Sequence, residues 1–280
     1  MRVGISGYDY PGWRGDFYPD ELPRSRWLAY ASRQFESIEL NGTFYSLKSP
    51  AVFVRWDAAV PKAGFVFALK GGRFITHNLK LRRCETALGN YFASGVLALG
   101  RKTGPFLWQL PDTYGFDPDR LAAFMDLLPR DSVEGEVVAR WHDDRLRRGA
   151  LVDAAGGVRV HYRHAFEVRH PSYFCEEFYA ILRAHHCALV LADSAGRWGY
   201  AEELTADFVY VRLHGAQQLY VSGYTPQELD WWAARIEGWR QAPGGRDVYV
   251  YFDNDAKVYA PRDAMRLRSR LQAGGPAPSE

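Results

Sequence analysis

The sequence predicts an α/β fold, a closed TIM (β/α)8 barrel in a single domain, on three observations. Eight short runs rich in Val, Ile, Phe and Tyr alternate with helix-like stretches along the whole chain. Strands joined by helices run parallel, because each helix carries the chain back across the sheet before the next strand starts. Sharing 280 residues among eight strands leaves about 35 per unit, the size of a barrel repeat with insertions. A doubly wound open sheet has the same alternation. However, the first strand leads into GYDYPGW rather than a G-x-G-x-x-G turn, and no G-x-x-x-x-G-K-[ST] loop occurs.

In order, the first strand is placed at Val3–Ser6 and a helix at Leu22–Phe35. Gly4, Gly7, Gly12 and Gly15 stand around Tyr8, Tyr10 and Trp13 there, which suits either a cover over a barrel mouth or a set of tight turns. The second strand is read at Ser37–Phe44 with a short helix near Ala51–Ala58, and the third at Gly64–Lys70 with a helix at Leu79–Tyr91. The fourth, Pro105–Leu110, leads to Pro118–Leu127. An insertion over about residues 131–163 follows, with an extra helix near Glu136–Arg147 and a Gly-rich loop. Its Arg145, Arg147 and Arg148 read as a solvated helix face. The fifth strand, Ala165–Arg169, precedes a helix at Cys175–His186, and the sixth is Ala188–Asp193. The seventh, Phe208–His214, precedes Pro226–Trp239, and the eighth, Val248–Asn254, precedes Pro261–Leu271. Pro118, Pro226 and Pro261 suit a helix's first turn, where the missing N–H has no partner to lose. The barrel domain is placed at 1–272 and a flexible tail, AGGPAPSE, at 273–280.

Composition narrows the function classes. A hydrophobic content of 47% supports a large core, and 35 Lys+Arg against 33 Asp+Glu give a net charge of +2, without the global basic field of a nucleic-acid or membrane binder. Cys84, Cys175 and Cys187 are odd in number and far apart, which argues against a disulfide framework or zinc ribbon and suits a reducing cytoplasm. No signal-peptide pattern or membrane-length apolar run occurs, so a cytoplasmic protein with no membrane partner is expected. His142, His161, His164, His185 and His186 read as loop or helix-end residues in polar contact or solvent.

Residues two apart on a strand share a face, so a strand end can aim several groups at one place. SIELN puts Ser37, Glu39 and Asn41 together; FEVRH does the same for Glu167 and Arg169, and VYVRLH for Arg212 and His214. Lys70, Gln109, Asp193, Asp253 and Asn254 close the other strands. In a barrel these ends form the C-terminal face, where active sites lie. Ionisable groups on so many strand ends are costly to desolvate for packing alone.

The stretches GISGYDYPGWRGDFYP, SIELNGTFYSLKSP, FVFALKGGRFITHNLKL, GPFLWQLP, HAFEVRHPSYF, LVLADS, DFVYVRLHG and VYVYFDNDAKVYA resemble the YecE-like proteins, domain of unknown function 72. The resemblance covers nearly the whole chain and implies a TIM barrel, without naming a reaction. It places Glu39, Asn41, Tyr45, Lys70, His77, Gln109, Glu167, Arg169, His170, Asp193, Arg212, His214 and Asn254 at family motif positions. Where the family commonly reads F-N-N in the last strand, this chain has Phe252, Asp253 and Asn254, an added carboxylate.

Acid–base chemistry on an anionic small molecule is the leading expectation. Glu39, Glu167, Asp193 and His214 are the catalytic candidates, with Glu167 or Glu39 as base and His214 as acid. Lys70, Arg169 and Arg212 would hold a phosphate or carboxylate, and Asn41, Tyr45, His77, Gln109, His170 and Asn254 complete the substrate-binding set. The alternative is a divalent-metal-dependent phosphodiesterase, endonuclease-like or isomerase barrel. Its ligands would come from Glu39, His77, Glu167, His170, Asp193 and His214, with Glu167, Asp193 and His214 foremost. No tight ligand signature such as H-E-x-x-H supports it. A nucleic-acid partner stacking on Trp13, Tyr45 or Trp198 belongs to that reading and gains little from the near-neutral charge. Glycoside hydrolysis between two of Glu39, Glu167 and Asp193 is a third reading, and non-catalytic ligand binding or interaction a fourth.

Overall fold

The structure, a computed structural model, describes residues 1–146 and 149–273. Arg147, Arg148 and residues 274–280 of the expected tail lie outside the described residues. Eight strands form a closed, all-parallel barrel in sequence order: β1 (Arg2–Ser6), β2 (Ser37–Leu40), β3 (Val66–Lys70), β4 (Thr103–Gln109), β5 (His164–Glu167), β6 (Ala188–Asp193), β7 (Phe208–Leu213) and β8 (Asp247–Phe252). The ring closes where Arg2–Ile5 of β1 run beside Tyr249–Phe252 of β8.

Strand alternation divides the core in two. One set, including Val3, Ile5, Ile38, Leu40, Val209, Val211, Val248 and Val250, packs outward against the helices. The other fills the lumen: Ala68, Ala165, Ala188 and Ala192 make room for Phe208, Tyr210, Tyr249 and Tyr251. Small residues on β3, β5 and β6 complement large ones on β7 and β8, so the lumen is filled with side chains rather than left as a channel.

The helices are α1 (Trp27–Gln34), α2 (Gly42–Tyr45), α3 (Pro50–Ala59), α4 (Glu85–Ala93), α5 (Pro118–Asp126), α6 (Ser132–Ala139), α7 (Glu176–Ala184), α8 (Pro226–Gln241) and α9 (Tyr259–Ala273). Between β6 and β7 the described chain forms no helix and instead runs as a loop through Trp198 and Tyr200. α8 opens on a capping box in which Thr225 and Glu228 satisfy each other's backbone N–H groups, with Pro226 in the first turn.

Four expectations need correction. The second strand stops at Leu40, because Asn41 is already in the right-handed helical region (φ −70°, ψ −23°) and starts α2. The helix expected from Leu79 begins at Glu85, since Lys80, Leu81 and Arg83 have positive φ. The inserted helix is Ser132–Ala139 rather than Glu136–Arg147: Asp131 caps it by accepting from Val133 and Glu134 N–H, and no helix continues past Arg140. His164 is neither a loop residue nor solvated. It opens β5, fully buried, accepting from Trp108 Nε1 at Nδ1 (3.1 Å) with Nε2 2.7 Å from the Pro129 carbonyl, which fixes the neutral Nε2–H tautomer.

Candidate functional site

The uppermost lumen layer is charged. Inward parity on β2, β3, β4, β5 and β7 places Glu39, Lys70, Gln109, Glu167 and Arg212 there, with Ser6 from β1 and Asp253 just past β8. Arg212 is wholly buried at its centre. Its Nη2 donates to Glu39 Oε1 (2.8 Å), Asp253 Oδ2 (2.9 Å) and Ser6 Oγ (3.0 Å), and its Nη1 to Glu167 Oε2 (2.6 Å). Its Nε reaches Glu39 Oε2 at 3.2 Å. Glu39 also accepts from the Ser6 hydroxyl (2.5 Å) and the Tyr210 hydroxyl (2.6 Å), so both its oxygens are committed. Burial alone would raise the Glu167 carboxyl, but Arg212, Arg169 and His214 outweigh it and hold the group well below the usual carboxylate range. Asp253 is depressed in the same way, burial being outweighed by Arg212, His214 and Lys70. His214 lies between these two carboxylates, its Nε2 3.5 Å from Glu167 and its Nδ1 3.0 Å from Asp253, the latter outside hydrogen-bond alignment.

Above this layer opens a cavity of about 480 Å3. Its cationic wall is Lys70, Arg73 and Arg169, with His77 beside them; Asn41, Tyr45, Gln109, Tyr10 and Tyr220 line the rest, and Asp253 and Asp255 face in from the end of β8. Lys70 is only 8% exposed. Its ammonium sits 4.7 Å from the centre of the Phe44 ring, and no hydrogen bond or ion pair reaches it among the described residues. The Lys70 carbonyl, by contrast, is fixed by the Thr43 hydroxyl (2.7 Å) and the Tyr91 hydroxyl (3.2 Å). Burial, and then the Arg212 charge, pull the Lys70 amine down to about 8. Burial together with Arg73, Arg169 and Lys70 lowers His77 to about 4, so its ring is neutral at pH 7. Burial and the neighbouring Asp253 push the Asp255 carboxyl up to about 6.

Arg169 is held rigidly at the rim. Its Nε and Nη2 both donate to Glu167 Oε1 (3.0 and 2.7 Å), Nη2 also approaches the Tyr220 hydroxyl (3.4 Å), and its guanidinium lies 3.8 Å above the centre of the Trp198 ring. Asn41 donates to Ser6 Oγ at 2.9 Å, while its buried Oδ1 has no partner among the described residues.

The expected site residues therefore divide by parity. Glu39, Asn41, Lys70, Gln109, Glu167, Arg169, Arg212 and His214 converge on the mouth, joined by Tyr45 at the end of α2 and His77 from the helical turn Phe74–Asn78. Asp193 does not, because β6 turns Ala188, Val190 and Ala192 inward and Asp193 outward. It lines a separate aromatic cavity with Trp198, Tyr200, Trp231 and Trp232. Asn254 likewise faces the helix layer, donating to Asp263 Oδ2 (3.1 Å) and the Ser222 carbonyl (3.0 Å). His170 accepts from Ser172 N–H at 3.2 Å and caps a short turn. Glu167, Asp193 and His214 thus do not share one pocket, and no group of three or more His, Cys, Asp or Glu among the described residues is arranged to hold a metal ion. Trp13 is buried under the first loop, donating to the Asp255 carbonyl (3.2 Å) with Tyr10 packed on it at 4.6 Å. Sequence reading missed Arg73, Tyr220 and Asp255, and named Tyr10 only as part of the first loop over the mouth. Only Asp255 carried a signal, standing two residues beyond the inward Asp253.

A family model described as "Protein of unknown function DUF72" matches residues 2–280. The Escherichia coli K12 protein named "UPF0759 protein YecE" is 29% identical over 176 residues, 63% of this chain and 51% of that protein. The match therefore spans about half the length of that curated relative. The crystal structure of a DUF72 family protein from Thermotoga maritima superposes with a TM-score of 0.69 at 22% identity, covering 97% of this chain and 98% of that one. One from Enterococcus faecalis gives 0.70 at 16% identity, covering 100% and 98%. At such identities these two share the fold. No described helix is long and apolar enough to cross a membrane.

Proposed function

The chain belongs to the DUF72 family, and from its barrel mouth we propose that it binds a small phosphorylated or carboxylated molecule there and catalyses proton transfer on it. The observation that carries this reading is the cationic wall: Lys70, Arg73 and Arg169 converge on one cavity, and the largely buried Lys70 has no hydrogen bond or ion pair at its ammonium among the described residues, only the Phe44 ring. A desolvated cation with nothing to bind is costly unless a ligand supplies the missing charge.

Roles follow from accessibility. Arg212, Glu39 and Glu167 are fully buried and engaged with one another, so in this reading they position the mouth and fix its field. Arg73 and Arg169 hold the anion, the planar guanidinium matching carboxylate or phosphate oxygens. Lys70 and Asp255, both brought toward neutral pH, are the groups able to give and take protons at the ligand. Neutral His77 supplies a hydrogen bond without adding charge. Because the lumen carboxylates are bound to guanidinium groups, this assignment is favoured over one that makes them metal ligands.

The test is thermal unfolding with phosphorylated and carboxylated metabolites, each against sodium chloride at equal ionic strength. At least one anion should raise Tm. The exposed Arg73 replaced as Arg73→Gln should weaken its apparent Kd about tenfold with the unliganded Tm unchanged, in line with roughly 1.5 kcal/mol for a charge-assisted hydrogen bond. No anion-specific stabilisation of the wild type, or an unaltered Kd in the variant, would overturn the assignment.

A further inference from the structure

We propose that Lys70 is a covalent catalyst: its amine condenses with the carbonyl carbon of an anionic aldehyde or ketone bound at the barrel mouth and forms an imine. This rests on the reading of the cavity as an anion site and names its substrate class.

Four features converge on this chemistry. Lys70 is nine-tenths buried, its nitrogen lies against the face of Phe44 and lines the cavity, and no carboxylate contacts it among the described residues, so no ion pair holds the proton on it. A second cation, Arg212, lies beneath it, and desolvation beside a cationic group is what activates a lysine as a nucleophile. With the amine near 8, roughly a tenth is neutral at pH 7, against well under a thousandth for an ordinary lysine. Its backbone is locked by Thr43 and Tyr91 at the end of β3, so the nitrogen is carried on a rigid element. Asp255 faces the same cavity with a raised carboxyl, and Arg73 and Arg169 supply the anion seat beside both.

The step balances without an added reagent. The Lys70 nitrogen lone pair attacks the carbonyl carbon, the C=O π pair moves to oxygen, and transfer of the nitrogen's proton to that oxygen gives a carbinolamine. The Asp255 carboxylic acid then protonates the hydroxyl, the C–O bond breaks and water leaves. The nitrogen lone pair closes the C=N bond, so one water is lost for each imine formed. The iminium cation forms at the Lys70 nitrogen, where the charges of Glu39, Asp253 and Glu167 favour a positive group. Asn41 Oδ1, buried and unpartnered, can accept from the carbinolamine hydroxyl. The iminium withdraws electrons from the adjacent carbon, which suits proton removal or carbon–carbon cleavage there.

The experiment is sodium borohydride trapping at pH 8 with glyoxylate and with glyceraldehyde 3-phosphate, read by intact mass and peptide mapping. Reduction should add the mass of the carbonyl compound less one oxygen atom, at Lys70 in preference to the chain's five other lysines. Lys70→Met and Lys70→Arg should both lose that adduct. Labelling spread evenly over the lysines, or no adduct at Lys70 with either probe, would overturn the imine. Phosphate stabilisation surviving such a result would leave the anion site standing, and its loss in the wild type would remove both.

Discussion

The residue on which this site depends is Arg212. Its type and strand parity were legible, since VYVRLH alternates inward and outward like any strand, but its role was not. Read from sequence, a cation at a strand end resembles a substrate clamp; in the fold it is wholly buried and bound to Glu39, Glu167 and Asp253. Removing it leaves three carboxylates desolvated with their main counter-charge gone. Arg212→Met should therefore destabilise the barrel by about 3–5 kcal/mol in urea unfolding, and adding Glu39→Gln should recover part of the loss. Additive losses in the double variant would show that the charges do not act as a unit. Lys70 marks the opposite case, where the sequence named the residue and the structure set its ammonium against Phe44 at the cavity, with no ion pair among the described residues.

At the scale of elements, strand alternation did most of the work and failed where the backbone leaves the strand. Beyond Leu40 the chain turns helical, and that turn brings Phe44 against Lys70, a contact no alternation rule produces. On β6 the same rule, carried one residue further, would have turned Asp193 away from the mouth. Among the described glycines the tightest site is Gly4 of β1, where a Cβ would stand 1.9 Å from the Ser37 carbonyl oxygen of β2. Gly4→Ala should cost about 3 kcal/mol or fail to fold. Gly238→Ala is its control: this helical glycine in α8 has open space around its Cβ position, so the change should stabilise by about 0.5–1 kcal/mol. Equal effects at the two positions in denaturant titrations would refute the steric account.

At the scale of the whole molecule, pH reports on buried groups that only folding shifts. Burial lowers His164 from 6.5 to about 3, so between those values the unfolded chain binds a proton that the barrel refuses. Stability is complete above pH 6.5 and falls as pH drops toward 3, by up to about 1.4 kcal/mol per pH unit for this one group. His77, lowered to about 4, acts in the same direction. Below pH 4.5 the depressed Glu167 and Asp253 add to the loss, since unfolding lets them take up protons at their ordinary values. Urea midpoints from pH 8 to pH 4 should decline below about 6.5, with a shallower slope in His164→Gln. A flat profile to pH 5 would contradict this account.

What the sequence determined by itself was the parallel alternation, the closed barrel and the cluster of ionisable strand ends, because these rest on periodicities of two and 3.6 that are local to each segment. The order of the strands and the meeting of their ends follow once eight such units close. What only the tertiary structure decided was which charges satisfy one another and which stay open to a ligand. Desolvation and ion pairing depend on three-dimensional neighbours from β1, β2, β5, β7 and β8 at once, so Arg212 and Lys70 look alike as cations in the chain and differ in the barrel. There one is surrounded by carboxylates and the other lies against Phe44 with no ion pair among the described residues.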